Sequence, residues 1–375
     1  MSVEYLVTDT DLISVANAIR AKGGTSERLS FPSGFNAAIS AIETMVPLQI
    51  VVSTKAGASC TATKGATTVS GTADASGNCT LTVTETGTWT VLAASDGMTK
   101  QQDVIVGSTA VTLSFVSRTL NDNDWETIRD VSDDGEGANY WSIGDRKAVT
   151  LNGTVGELTL SSFTTYAFII GFNHNAALEG DNRIHFQLAK TALSGGTDVC
   201  FCDSRYAPDI GYDTSGTGYF VMNASNTSSG GWKASFMRTG ICGTDLTSYD
   251  GTIIAVIPSA LRAVLKSVTK YTVNSSSALT ATTDYFFLLS EYEVFGTRTY
   301  ANPNEAGKQA QYAYYSAGNS KVKYKNDATT TAARWWLRSP TYNASNHFVY
   351  VGANGSGEYN IAVSSSLGFA PGFCV

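Results

Sequence analysis

The stretch RWWLRSPTYNASNHFVYVGANGSGEYNIAVSSSLGFAPGFCV, residues 334–375, carries the most specific signal in the chain. Its entry is stiff: Trp335 and Trp336 are followed by Leu337, Arg338, Ser339 and Pro340. In an extended segment successive side chains point to opposite faces, so at least one tryptophan belongs to a core, and Arg338 has room to pair internally. The chemistry then changes. Between Thr341 and Ser366 there is no Lys, Gln, Met or Trp and one Glu, Glu358, against a concentration of Tyr, Asn, Ser, Gly and His. Paratopes favour these residues because they give contact area and adaptable hydrogen bonding at low entropic cost. A hairpin-rich surface loop without a ligand has a similar composition.

Working outward, the 375 residues suggest two or three domains. A hydrophobic fraction of 43% with 11% aromatics marks a folded chain, and only 15% of residues are charged. Ser, Thr, Asn and 35 Gly carry the polarity instead, a mix suited to strands and tight turns. A net charge of −7 without a Lys/Arg cluster argues against nucleic acid. The N-terminus has acidic residues where a secretory signal has basic ones, and there is no run of 18 apolar residues. Synthesis in the cytoplasm without a signal peptide and no membrane insertion are therefore expected.

Residues 1–46 read as a small helical unit for attachment or oligomerisation. Leu12, Val15, Ala16 and Ile19 share one helical face, and Phe35, Ala38, Ile39 and Ile42 another, either side of Phe31-Pro32-Ser33-Gly34. Such a pair is too small to hold a core alone. Residues 47–117 alternate apolar residues with Thr and Ser between glycine turns, which predicts an immunoglobulin-like β-sandwich acting as a spacer, with Trp89 in its core. Residues 118–375 read as one long α+β domain. Its clearest predicted helix is IPSALRAVLKSVTK, with Pro258 in the first turn and Leu261, Val264 and Val268 on the buried side.

Catalytic chemistry finds little footing. Asp130, Asp133 and Asp134 lie in a Gly-rich stretch without a histidine partner, and read as a solvated turn or a calcium loop of non-EF-hand spacing. His174 and His185 have no nucleophile motif beside them. The cysteines Cys60, Cys79, Cys200, Cys202, Cys242 and Cys374 lack paired metal spacing, so no metal and no cofactor are expected. Cys60 and Cys79 fit either a bridge between adjacent strands or reduced core thiols.

One further regularity concerns coding. Every residue from Thr341 to Ser366 except Glu358 has a codon ending in a pyrimidine, as random replacement of the adenines in Asn codons gives. With WWLRSP, Gly355 and the ending GFAPGFCV, this resembles the C-terminal variable region of target proteins of diversity-generating retroelements, common in phages and prophages of gut bacteria. Tyr140 to Asp145, Gly171 to His174, Gly231 to Lys233 and Leu288 to Glu293 match landmarks of the same family. AIRAKGGTSERLSFPSGFNAAISAI is similar to a short module near the N-termini of phage tail and baseplate proteins. The resemblance implies a C-terminal C-type-lectin-like domain with a variable region at 335–375, set at the tail tip of a virion. Tyr342, Asn343, Ser345, Asn346, His347, Tyr350, Gly352, Asn354, Ser356, Tyr359, Asn360, Ser364 and Ser365 would contact a host cell-surface protein or glycan. Glu358 does not fit adenine-templated change, and Ile361 and Val363 alternate like a half-buried strand, so these three stay outside the set. The expected partners are the host surface, other virion tail proteins and copies of the same chain, a trimer being favoured. The alternatives are a structural tail or surface component without its own ligand and a catalyst like the formylglycine-generating enzymes, which share the lectin-like fold; the absence of a nucleophile–base pair predicts no enzyme.

Overall fold

A computed structural model describes residues 8–23, 27–41, 47–95, 98–108, 110–207, 216–274 and 277–375. Helices and several small sheets are mixed along the chain, which divides into two compact units, residues 1–115 (less 96–98) and 116–375 with 96–98. No described helix is long and apolar enough to cross a membrane.

In the first unit, α1 (Asp9–Gly23) begins with Asp9 and Asp11 and ends with Arg20 and Lys22, charges that suit the two poles of the helix dipole. α2 (Ser33–Ala41) packs against it through Ala16, Ile19 and Phe35, with Leu12, Leu29 and Ala38 alongside. Val15 and Ile39, expected on the buried faces, are exposed. Only the Leu12–Ala16–Ile19 stripe meets its partner, because two helices offer one seam. Ile42 lies outside the described residues.

The strands that follow are β1 (Leu48–Ser53), β2 (Ser59–Lys64), β3 (Thr67–Thr72), β4 (Asn78–Val83), β5 (Gly87–Ser95), β6 (Met98–Val106) and β7 (Val111–Ser114). They form two sheets, β4-β1-β7 and β3-β2-β5-β6. Alternation sends Ile50, Val52, Leu81, Val83, Cys60, Ala62, Trp89 and Val91 inward. Cys60 and Cys79 therefore sit in different sheets rather than on adjacent strands; both thiols are free, and burial, then Cys79, pushes Cys60 up to about 12.

The second unit opens with α3 (Trp125–Asp133), capped by Asp124, whose carboxylate accepts from Thr127 N at 2.6 Å. The acidic run expected as a loop is the end of this helix: Asp133 lies 2.6 Å from Lys266 Nζ, and Asp130 is buried beside Arg129. The strands β8 (Arg146–Val155), β9 (Leu158–Phe172) and β10 (Ile184–Lys190) precede β11 (Val199–Cys200), β12 (Val268–Val273), β13 (Leu279–Asp284) and β14 (Phe286–Phe287). β15 (Lys323–Lys325), β16 (Ala328–Ala333), β17 (Trp335–Pro340), β18 (Phe348–Val351), β19 (Gly357–Glu358) and β20 (Gly372–Cys374) complete the set. The central sheet runs β14-β20-β10-β9-β8, so the end of the region lies inside it, His185 opposite Cys374. β17, β18 and β19 make a separate three-stranded sheet.

The predicted helix over 257–270 is corrected. Only Ser259–Arg262 turns helically, and Val268–Val273 pairs with β13 as a strand. Leu261, Val264 and Val268 are buried as their spacing predicts, but apolar residues a few positions apart fit a turn followed by a strand equally well. The β-branched run Val268-Thr269 and Thr272-Val273 favours the strand.

Candidate functional site

Trp335 and Trp336 are both fully buried, their indole N–H groups donating to Lys321 O at 3.0 Å and Phe220 O at 3.1 Å. The two tryptophans face opposite sides of β17, so each finds its own pocket of core. Arg338 is also fully buried and grips Glu293 with both nitrogens, Nη1 to Oε2 at 2.5 Å and Nη2 to Oε1 at 2.7 Å, while Nη1 also donates to Leu288 O at 2.8 Å. Glu293 is positioned by a capping box with Ser290 at the start of the short helix Glu291–Phe295. Two sequence landmarks, WWLRSP and LLSEYE, are thus the two halves of one ion pair. Gly368 runs beside β17, with Trp336 N donating to Gly368 O at 3.0 Å; a Cβ there would come within 2.8 Å of Arg334 O and 2.3 Å of Cys200 Sγ. That close approach requires glycine.

Behind the frame lies a buried cluster. Lys270 Nζ donates to Glu179 Oε2 at 2.5 Å, Glu293 Oε1 at 3.0 Å and Tyr312 OH at 2.9 Å. His174 stacks on the Tyr312 ring at 3.7 Å, and His185 Nδ1 lies 3.0 Å from the Tyr312 hydroxyl and 3.3 Å from Cys374 Sγ. His174, Glu179 and Glu293 offer ligand atoms within 4.8 Å of one another, the spacing of a metal trio. The Lys270 ammonium, however, already bridges both carboxylates, and with Arg338 it balances their charge, so a divalent ion would bring uncompensated charge into a buried site. Burial, then Lys270, lowers His174 to about 3. Burial holds His185 well below its ordinary value and pushes Cys374 up to about 12. The Cys374–His185 contact is therefore between a neutral thiol and a neutral imidazole, away from solvent, and has neither the thiolate nor the access a nucleophile needs.

The exposed face begins at Tyr342. Pro340 and Thr341 run antiparallel to Ala301, and Tyr342 N donates to Tyr300 O at 2.8 Å. Tyr342 is 49% exposed and Tyr359 42%; Tyr359 lies against Tyr300 with ring centroids 4.7 Å apart. Asn343, Ser345, Asn354, Ser356 and Asn360 are exposed, and Asn346 and His347 half-buried. Burial lowers His347 below its ordinary value. Four expected contact residues are corrected. Tyr350 is fully buried: β18 is covered on both faces, and the Tyr350 hydroxyl donates to Glu358 Oε2 at 2.9 Å and Asn360 Oδ1 at 2.5 Å. Gly352 is buried in the turn from β18 to β19, where a Cβ would meet Glu358 Oε1 at 2.2 Å. Ser364 and Ser365 are buried because the chain there is pinned inward, with Met222 N donating to Val363 O at 2.9 Å. Ile361 and Val363 are likewise buried, as a bridge and turns rather than a strand. Glu358, outside the expected set, anchors Tyr350 and accepts from Ser356 Oγ at 3.0 Å.

Beside Thr341 the surface forms a groove of about 260 Å³ between Asn343 and Ser345 on one side and Ser277 and Asn302 on the other, floored by Val273 and Pro340. No Lys, Arg, Asp or Glu is among its described lining residues. Asn302 is fixed: its amide donates to Ser277 Oγ at 2.8 Å and its oxygen caps the Pro303 turn by accepting from Asn304 N at 2.9 Å. Ser277, Tyr300 and Asn302 were not expected here. The Asn302-Pro303 turn signal was visible, but nothing local in the sequence says which strand it faces.

A family model described as a domain of unknown function, DUF6273, matches residues 220–375, a span that takes in the frame from Phe220 onward and the whole exposed face. No curated protein matches the chain.

Proposed function

We propose that the chain is a target-binding protein, the diversified lectin-like tip of a phage or prophage tail, in which the face at 342–360 touches a host cell surface. One observation carries this reading: residues of one composition class are exposed in the loops before and after the buried strand β18, between two fully buried flanks, Trp335–Ser339 and Leu367–Val375. Binding sites are commonly loops held by a rigid frame, and here the frame closes on both sides of the loop. The contact set becomes Tyr342, Asn343, Ser345, Asn346, His347, Asn354, Ser356, Tyr359 and Asn360. The first unit serves as an immunoglobulin-like spacer carrying the helical pair. Ile13 and Ile39 are exposed on those helices and Phe31 on the turn between them, which supports self-association, a trimer being favoured, or docking to another tail protein.

The test is genomic. A neighbouring near-repeat of the coding region for 335–375, differing at adenines in the codons of the exposed set, together with a reverse transcriptase gene, is the expected finding. Variation among related isolates that falls equally on Trp336, Arg338 and Phe369 would sink the division into frame and contact face.

A further inference from the structure

The groove beside Thr341 has a chemistry more specific than its surroundings. Its described lining holds amides and hydroxyls, Asn343, Ser345, Ser277 and Asn302, and no ionised group. A charged ligand entering it would shed water without gaining a counter-charge, which disfavours acidic or basic targets. Asparagine and serine both donate and accept, which suits a ligand whose own groups do both at close spacing. The side chains of Asn343 and Ser345 make no hydrogen bond within the described residues and are open to a ligand. Asn343 holds a left-handed backbone (φ 58°), which fixes where its amide points.

Two further features narrow the class. Two backbone donors beside the groove are already used, Thr341 N by His347 O at 3.2 Å and Tyr342 N by Tyr300 O at 2.8 Å, so a peptide cannot pair with the chain at those two positions. Tyr342, between the groove-lining Thr341 and Asn343, has an exposed ring, and its backbone N donates to the carbonyl of Tyr300, whose ring packs against the exposed Tyr359. Aromatic faces bind the apolar C–H side of a ring while leaving the ring's polar edge to the amides. The volume, about 260 Å³, lies below the roughly 300–1,000 Å³ of drug-sized sites and fits one or two small rings.

From this geometry we infer that the groove takes a neutral sugar at the end of a surface glycan, hydrogen-bonded by Asn343, Ser345 and Asn302 and stacked on Tyr359 or Tyr342. The inference rests on the reading of 342–360 as the contact face. With no carboxylate in the lining, recognition is independent of calcium, whose sites are built on carboxylate oxygens.

Saturation-transfer NMR on the full chain tests it with two probe sets: methyl glycosides of glucose, galactose, N-acetylglucosamine and N-acetylgalactosamine with sialic acid beside them, and a pool of uncharged pentapeptides. The expected result is transfer to the C–H protons of a neutral glycoside, unchanged by EDTA. Asn343→Gly, which keeps the left-handed turn but removes the amide, and Tyr359→Ala each weaken it about tenfold, with melting temperature unchanged. Ser345→Ala serves as a second groove variant if either fails to fold. Transfer to the peptides or to sialic acid alone, sensitive to Tyr359→Ala, overturns the neutral sugar while leaving the contact face standing. Transfer to a glycoside indifferent to all three variants, or no transfer in either set, overturns the groove as the site.

Discussion

Trp335–Ser339 and Tyr342–Tyr359 are neighbours in sequence and opposites in physics. In the first, every side chain is covered and its charged and hydroxyl residues are tied to other parts of the unit, Arg338 to Glu293 and Ser339 to Glu305 and Glu291. In the second, Tyr342, Tyr359 and the loop residues Asn343, Ser345, Asn354 and Ser356 face water, on either side of the buried strand β18. The difference is one of where free energy is stored. A segment whose ends are fixed by buried tryptophans and an ion pair, and whose strand β18 is buried between them, does not need its exposed loop side chains to contribute to folding, and those side chains can change without unfolding the unit.

The sharpest way to break this contrast is at Arg338. Arg338→Ala leaves Glu293 buried without its main partner and is expected to cost about 3–5 kcal/mol, and Trp336→Ala about as much through the cavity it opens, both read by urea unfolding. Loss of under 1 kcal/mol in either would mean that the frame does not hold the loop. Restoring stability with an apolar pair, Arg338→Met with Glu293→Leu, would show that the charges fix geometry rather than add net stability.

Two buried groups give the frame a pH dependence of intermediate size. Burial raises Glu305 to about 7, opposed by bonds from Val273 N, Gln309 and Ser339. Its folded value exceeds its ordinary one of 4.5, so its contribution is full below about pH 4.5 and is lost as pH rises through 7, by roughly 3 kcal/mol. His174 runs the other way: lowered to about 3 from 6.5, it contributes fully above pH 6.5 and loses that contribution as pH falls toward 3. Glu305→Gln is expected to remove the loss on the alkaline side and His174→Gln the loss on the acid side, in melts between pH 4 and 8. Unchanged profiles in both variants would reject these assignments.

Smaller effects test the corrected boundary of the exposed face. Tyr350→Phe removes two hydrogen bonds from a buried hydroxyl and is expected to cost about 1–2 kcal/mol. Tyr342→Ala is expected to stay within about 0.5 kcal/mol in the same unfolding assay. If Tyr342→Ala costs as much as Tyr350→Phe, the line between frame and face is drawn in the wrong place.

Much of this organisation was legible in the sequence, and the failures have identifiable causes. Period-two alternation located the strands between Leu48 and Ser114, because the pleat imposes it directly. The abrupt loss of Lys, Gln, Met and Trp after Arg338 marked where the chain turns outward. Tyr350, Ser364 and Ser365 were misplaced since composition does not distinguish a tyrosine bonded in a core from one facing water. The predicted helix runs on through Val268–Lys270, the start of a strand, because three apolar residues spaced by three and four positions do not define a period alone. Lys270 bridging Glu179 and Glu293, and Asn302 facing Asn343, are long-range pairings that no local pattern announces.

The position of β20 also sets the order of events during folding. Residues 372–374 lie between β10 and β14 in the central sheet, so the partner of His185 is made only when Cys374 has been synthesised. Until then β10 and β14 present open edges, and closing a loop of that length comes late and slowly. The second unit therefore matures after translation has passed its last strand. During that interval the unpaired edges are exposed to neighbouring chains.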